Sequence, residues 1–190
     1  MTVIAWDGRY LSADRQTSGG GALVENCKLR SIKVSATYKN HDSLIAWACT
    51  GYVTNNYIIS KAITQQAEEL LHSKKIDLSD LVQDTAEVDI RLQELAIVAI
   101  KRGNMPPVAY CLQGSGHLVE MEANPYFAVG SSDAVSHCVG FMSAYSSLVG
   151  ELGKNVAVSE LAVVSASKYS SYCGFGVNTI DMLHGTVTQK

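Results

Sequence analysis

The chain has 190 residues, 47% of them apolar and 17% charged, with a formal charge of −3. That size predicts a single domain over 1–190 that buries about 70% of its extended surface without covalent staples. No apolar run approaches the roughly 20 residues needed to span a bilayer. The N-terminus lacks a basic start followed by an apolar stretch, so no secretory signal is expected. Without a Lys/Arg cluster, a nucleic-acid or anionic-membrane surface is set aside. The five cysteines, Cys27, Cys49, Cys111, Cys138 and Cys173, show neither CxxC spacing nor an even count, which argues for a reduced, cytoplasmic protein over a zinc cluster or disulfide framework. The histidines lack close metal-ligand spacing, so neither metal nor cofactor is expected.

Thr2–Trp6 and Arg9–Asp14 flank Asp7-Gly8, a strong hairpin signal because this dipeptide accepts the positive φ of a tight turn. Gly19-Gly20-Gly21 reads as a flexible connection. Strands are expected over Cys27–Tyr38 and Ser43–Cys49, separated by the polar turn Lys39–Asp42. From Tyr52 to Leu71 the apolar residues follow helical spacing over five turns, and Asp77–Arg91 suggests short helical turns. Four strands follow over Leu95–Ile100, Val108–Leu112, His117–Met121 and Phe127–Val129. Helices are then expected over Asp133–Leu152 and Val156–Lys168, and a last strand over Gly176–Leu183. Helices segregated from antiparallel strands predict an α+β layered fold.

There is no GxSxG elbow, Walker loop or GxGxxG after a strand. The chemistry-bearing feature is Thr2. Removal of Met1 would leave one residue carrying both a hydroxyl nucleophile and an amine base, whose ordinary pKa of about 7.7–8.0 suits proton transfer near neutrality. Taken singly, the other polar candidates have plainer readings. Asp14 is also a hairpin-end charge, Lys28 an exposed strand residue, Gly51 a residue before a helix, and Ser131 a helix N-cap.

Together the motifs carry more. Thr2, the Asp7-Gly8 hairpin, Ser12-Ala-Asp14-Arg15-Gln16 and Lys28-Leu-Arg-Ser-Ile32 stand in order with Ile45-Ala-Trp-Ala-Cys-Thr-Gly51, Phe127-Ala-Val-Gly-Ser131-Ser-Asp-Ala134 and Ser170-Ser-Tyr-Cys-Gly174. The series resembles proteasome β-type subunits and the HslV peptidase, with the nearest fit to short phage-encoded members. The resemblance implies a four-layer αββα sandwich of the N-terminal-nucleophile hydrolases. It implies Thr2 as nucleophile, Lys28 as the ammonium beside it, Asp14 as the carboxylate pairing that lysine, and the Gly51 amide as oxyanion donor. Ser131 would assist proton movement at the amine, with Ser170 and Cys173 in support. Thr17, Cys49 and Val53 would line the pocket for the residue before the scissile bond, and Ser18 would hold substrate backbone. The pattern departs at Ser170-x-x-Cys173-Gly174-Phe175, where the family has Asp-x-x-Ser-Gly-Gly.

The leading expectation is a threonine peptidase acting on peptide or unfolded-protein substrates from within a homo-oligomeric ring. The resemblance leaves room for an ATP-dependent unfoldase partner, which the sequence does not itself specify. A catalytically silent assembly protein and a small-molecule amidase are the alternatives, and a cytoplasmic setting, the host's if phage-encoded, goes with all three.

Overall fold

The computed structural model describes residues 2–19, 22–38, 41–51, 53–79, 93–121, 126–149, 156–170 and 173–190. In chain order the elements are β1 (Val3–Trp6), β2 (Tyr10–Asp14), β3 (Gln16–Gly19), β4 (Ala22–Glu25), β5 (Leu29–Tyr38), β6 (His41–Cys49), α1 (Val53–Gln65), α2 (Ala67–Leu70), β7 (Glu94–Lys101), β8 (Val108–Gln113), β9 (Leu118–Glu120), β10 (Phe127–Gly130), α3 (Ser132–Val149), α4 (Val158–Tyr169), β11 (Val177–Asp181) and β12 (Thr186–Gln189). One antiparallel sheet has the order β10-β1-β2-β11-β12, a second β5-β6-β7-β8-β9, and β3-β4 form a separate hairpin.

Strand periodicity builds the layers, because successive side chains point to opposite faces. In β1, Ile4 and Trp6 face the second sheet, against Leu44, Ala46, Ala48, Ile97 and Ala99. Val3 and Ala5 face the other way, onto Ala134, Cys138 and Met142 of α3 and Ala162, Val163 and Ala166 of α4. In β6 the alternates Ile45, Trp47 and Cys49 pack under Ile59, Ala62 and Ile63 of α1 and Leu70 of α2. The result is helix, sheet, sheet, helix: the αββα sandwich. Each large side chain such as Ile4 or Leu11, both 0% exposed, contributes about 1.5–3 kcal/mol by burial.

The Asp7-Gly8 turn forms as expected. Asp7 Oδ1 accepts the Arg9 and Tyr10 amides at 3.1 and 2.8 Å, while Oδ2 accepts the Ser159 amide of α4 at 2.9 Å and ties the hairpin to its helix layer. Three expectations need correction. Two strands not expected, β3 and β4, pair with each other, with Gln16 opposite Glu25 and Gly19 opposite Ala22. The five-turn helix is broken at Gln66, whose side chain accepts the Asp77 amide at 2.9 Å and donates to the Asp77 carbonyl at 3.2 Å. A twelfth strand, β12, pairs with β11. The helical turns expected over Asp77–Arg91 fall largely at 80–92, outside the described residues, as do Gly20, Gly21, Lys39, Asn40, Tyr52 and the end of the expected helix at 150–152.

Candidate active site

Strand pairing fixes the start of the chain. Val3 lies opposite Gly130, and the Thr2 carbonyl accepts the Ser131 amide at 3.0 Å. Gly130 has φ +140, and a Cβ there would lie 2.0 Å from the Thr2 carbonyl oxygen. Only glycine permits so close an approach. Thr2 is therefore held at the end of β1, beside Asp14 at the end of β2.

Asp14 is completely buried, and every polar contact around it donates to the carboxylate. Oδ1 accepts the Val3 amide at 2.9 Å, the Thr2 hydroxyl at 2.5 Å and the Lys28 ammonium at 3.0 Å. Oδ2 accepts the Gln16 amide at 3.0 Å and the same ammonium at 3.0 Å. Lys28 reaches in from the approach to β5 and also donates to Thr2 Oγ1. Burial lowers the Lys28 pKa from the usual lysine range, with the Asp14 charge and hydrogen bond opposing. A buried ammonium is tolerated because its partner carboxylate is equally well satisfied. The threonine hydroxyl thus donates to a carboxylate and accepts from a cation, an arrangement that favours charge developing on its oxygen.

Behind this triad stand Ser131, Ser170 and Cys173, all buried. Ser131 occupies the N-cap position of α3, its carbonyl accepting the Val135 amide at 2.9 Å. Ser131 Oγ is buried and has no hydrogen-bond partner among the described residues. Burial, reinforced by the Asp14 charge, pushes the Cys173 thiol up to about 11, with the Ser131 and Ser170 hydroxyls and the Lys28 charge pulling the other way. Phe175 follows at φ +57, a left-handed conformation in the place where the resemblance has its second glycine.

On the open side lies a cavity of about 640 Å³ lined by Thr2, Lys28, Thr17, Cys49, Gly51 and Val53 among others. Gly51 turns the chain from β6 into α1 at φ +80, and nothing lies within 4 Å of the Cβ it lacks. Burial pushes the Cys49 thiol up to about 12, so it presents a neutral wall. Thr2, Asp14 and Lys28 are in direct contact, Ser131 joins through the backbone, and Thr17, Cys49, Gly51 and Val53 share the cavity. Ser18 lies on β3, but its side chain, like Met1, falls outside the described set. Sequence reasoning missed Arg30 and Lys61, which line the same cavity. The available signal was register, since Arg30 lies directly across from Trp47.

Two antiparallel sheets flanked by helices, with β1 held between β10 and β2, define a proteasome-like α+β fold. Among the solved structures that match are Anbu proteins. Anbu from Yersinia bercovieri, described as an ancestral β-subunit, is similar with a TM-score of 0.67 and 11% identity, over 100% of this chain and 81% of that one. A Gly-1 mutant of Anbu from Hyphomicrobium sp. strain MC1 gives 0.66 and 13%, over 100% and 86%. The Anbu complex of Pseudomonas aeruginosa, described as a helical assembly, gives 0.65 and 12%, over 100% and 87%. No family model matches the sequence, and no curated protein does. The resemblance drawn from the motifs, to proteasome β-subunits and HslV with the nearest fit to short phage-encoded members, is corrected accordingly. Anbu proteins stand among the matching structures where short phage-encoded members were expected. Among the described residues, no helix is long and apolar enough to cross a membrane.

Proposed function

We propose that the chain is a single-domain N-terminal threonine peptidase of the cytoplasm, active once Met1 is removed. The observation that carries this reading is the Thr2 hydroxyl held between the Lys28 ammonium and the Asp14 carboxylate. In the reaction, Thr2 Oγ1 attacks the scissile carbonyl while its proton passes to the freed Thr2 amine. Lys28 stabilises the developing alkoxide, and Asp14 keeps the lysine charged and in place. The Gly51 amide takes the oxyanion, a contribution of about 2.7–4 kcal/mol for one good donor. The amine then protonates the leaving nitrogen, giving an ester on Thr2. Water, deprotonated by the same amine, hydrolyses that ester. Ser131 Oγ, buried and with no hydrogen-bond partner among the described residues, is the natural group to hold the amine.

The protein acts as a homo-oligomer. Exposed Leu148 on α3 and Leu161 and Tyr169 on α4 offer apolar contact surface on an outer layer, and the similar Anbu of Pseudomonas aeruginosa is a helical assembly. All five cysteines are free, as suits a reducing compartment.

A silent assembly protein is the second reading, favoured by the missing carboxylate at Ser170. Intact mass and capture by a peptide electrophile separate the two. Loss of Met1 with one adduct on Thr2, absent in Thr2→Ala, supports the peptidase; Met1-free protein that never forms an adduct refutes it. Light scattering tests assembly, and a stable monomer at micromolar concentration counts against it.

A further inference from the structure

We propose that the cavity beside Thr2 selects an acidic side chain, glutamate or aspartate, on the residue preceding the scissile bond, with Arg30 and Lys61 recognising its carboxylate. The inference rests on the peptidase reading and names its substrate class.

The placement of the two cations follows from register and helical spacing. Directly opposed residues of an antiparallel pair share a face, and Arg30 opposes Trp47, which packs toward α1. Arg30 therefore stands on the face that carries the cavity, above its floor of Trp47 and Cys49. Across from it, Val53, Tyr57 and Lys61 recur every fourth residue along α1, one stripe of that helix, and all three line the cavity. Val53 stands at the start of α1, and Lys61 two turns farther along.

The charge inventory is one-sided. The described lining contains Lys28, Arg30 and Lys61 and no carboxylate. Lys28 is neutralised by Asp14. Arg30 and Lys61 have no ion pair among the described residues, whereas exposed cations elsewhere do, as in Lys74–Glu120 and Lys190–Glu160. The Arg30 charge also reaches the cavity floor, where it favours the Cys49 thiolate against the opposing effect of burial. A leucine placed here would contact Trp47 and Val53 but leave two cations partly stripped of water. A carboxylate would replace that water with charge-assisted hydrogen bonds, for which a guanidinium fork is well shaped. A basic side chain would meet two like charges.

The test uses the Met1-free protein and three peptide electrophiles that differ only in a glutamate, leucine or arginine side chain next to the warhead. Adduct formation on Thr2 is followed by mass. The glutamyl probe should react at least about tenfold faster than either other, equivalent to about 1.4 kcal/mol. Raising ionic strength from about 0.05 to about 0.5 M should narrow the gap, as screening requires. Arg30→Gln and Lys61→Gln, both at exposed positions, should each cut the glutamyl-to-leucyl ratio at least about threefold. Melting curves verify that each variant is folded. A leucyl or arginyl preference overturns the substrate class alone. A glutamyl preference that survives both substitutions overturns the assignment to Arg30 and Lys61. Capture of no probe overturns the peptidase reading and the substrate class with it.

Discussion

Replacing Lys28 with alanine removes one cation from two buried partners, and the consequences for activity and stability separate. Thr2 Oγ1 loses its only cationic neighbour among the described contacts, so charge on the attacking oxygen is no longer offset. The expected loss in the rate of Thr2 capture is about 10²–10⁴-fold, or about 2.7–5.4 kcal/mol of barrier. Stability falls less steeply. Breaking a buried ion pair costs about 3–5 kcal/mol when the remaining charge is stranded. Asp14, however, keeps the Val3 and Gln16 amides and the Thr2 hydroxyl. A value near the lower end, about 3 kcal/mol, corresponds to about 6–12 °C in Tm for a chain of this size. Adding Asp14→Asn to Lys28→Ala removes the stranded charge and should recover part of the Tm without recovering capture. Lys28→Arg should not restore the rate, because a planar guanidinium does not reproduce a compact ammonium wedged between two oxygens. The assay is electrophile capture at matched folded fractions, with thermal melting alongside. A folded Lys28→Ala protein that retains a tenth or more of the wild-type rate refutes the reasoning.

Three further outcomes follow from the same geometry. Gly130→Ala places a Cβ 2.0 Å from the Thr2 carbonyl oxygen at φ +140, so it should cost about 3 kcal/mol or more by combined clash and strain and slow capture; an unchanged melting curve would contradict this. Phe175→Gly relieves a left-handed phenylalanine that is half exposed and should be neutral or stabilising by up to about 1 kcal/mol in urea unfolding; a clear loss would show that its ring packs to more effect than the strain costs. Stability should fall as pH rises above 9, measured by urea unfolding at successive pH values. Cys49, Cys111 and Cys138 are pushed from 9.0 to about 12 and Cys173 to about 11. Unfolded thiols therefore lose their protons first, and their contribution to stability, complete below 9, is lost through that window at roughly 1 kcal/mol per thiol by pH 10. Lys28, lowered in the folded state, works in the opposite direction as pH approaches 10.5. Stability that is flat from pH 8 to about 10.5 would count against the four buried thiols.

The layers were legible because β1, β6 and β7 carry apolar residues on both faces, and the first hairpin because Asp7 supplies a side-chain acceptor for its own turn. What escaped notice was polar. Gln16–Gly19 and Thr186–Gln189 form strands without an apolar face, β12 as an exposed edge, so hydropathy says nothing about them. Gln66 breaks a continuous helical stripe through two hydrogen bonds to Asp77, a tertiary tie that no local pattern announces. At the site, motif order brought forward Thr2, Asp14, Lys28, Gly51 and Ser131, although periodicity alone cannot tell that residues 26 positions apart share a hydrogen bond. Arg30 and Lys61 belong to no motif. Their shared cavity becomes visible only after strand register and helix face are combined.

The start of the chain forms an interior strand, with β10 on one side and β2 on the other. This orders events during synthesis. At about 5–20 residues per second, Gly130, the partner of Val3, is added about 6–25 s after Val3 itself. Val177, the partner of Asp14, comes later still. Until then Thr2 lacks the neighbour that closes over its carbonyl. Once β10 docks, the Ser131 amide takes hold of the Thr2 carbonyl. The site's geometry therefore waits on β10, a strand made long after Thr2, Asp14 and Lys28 themselves.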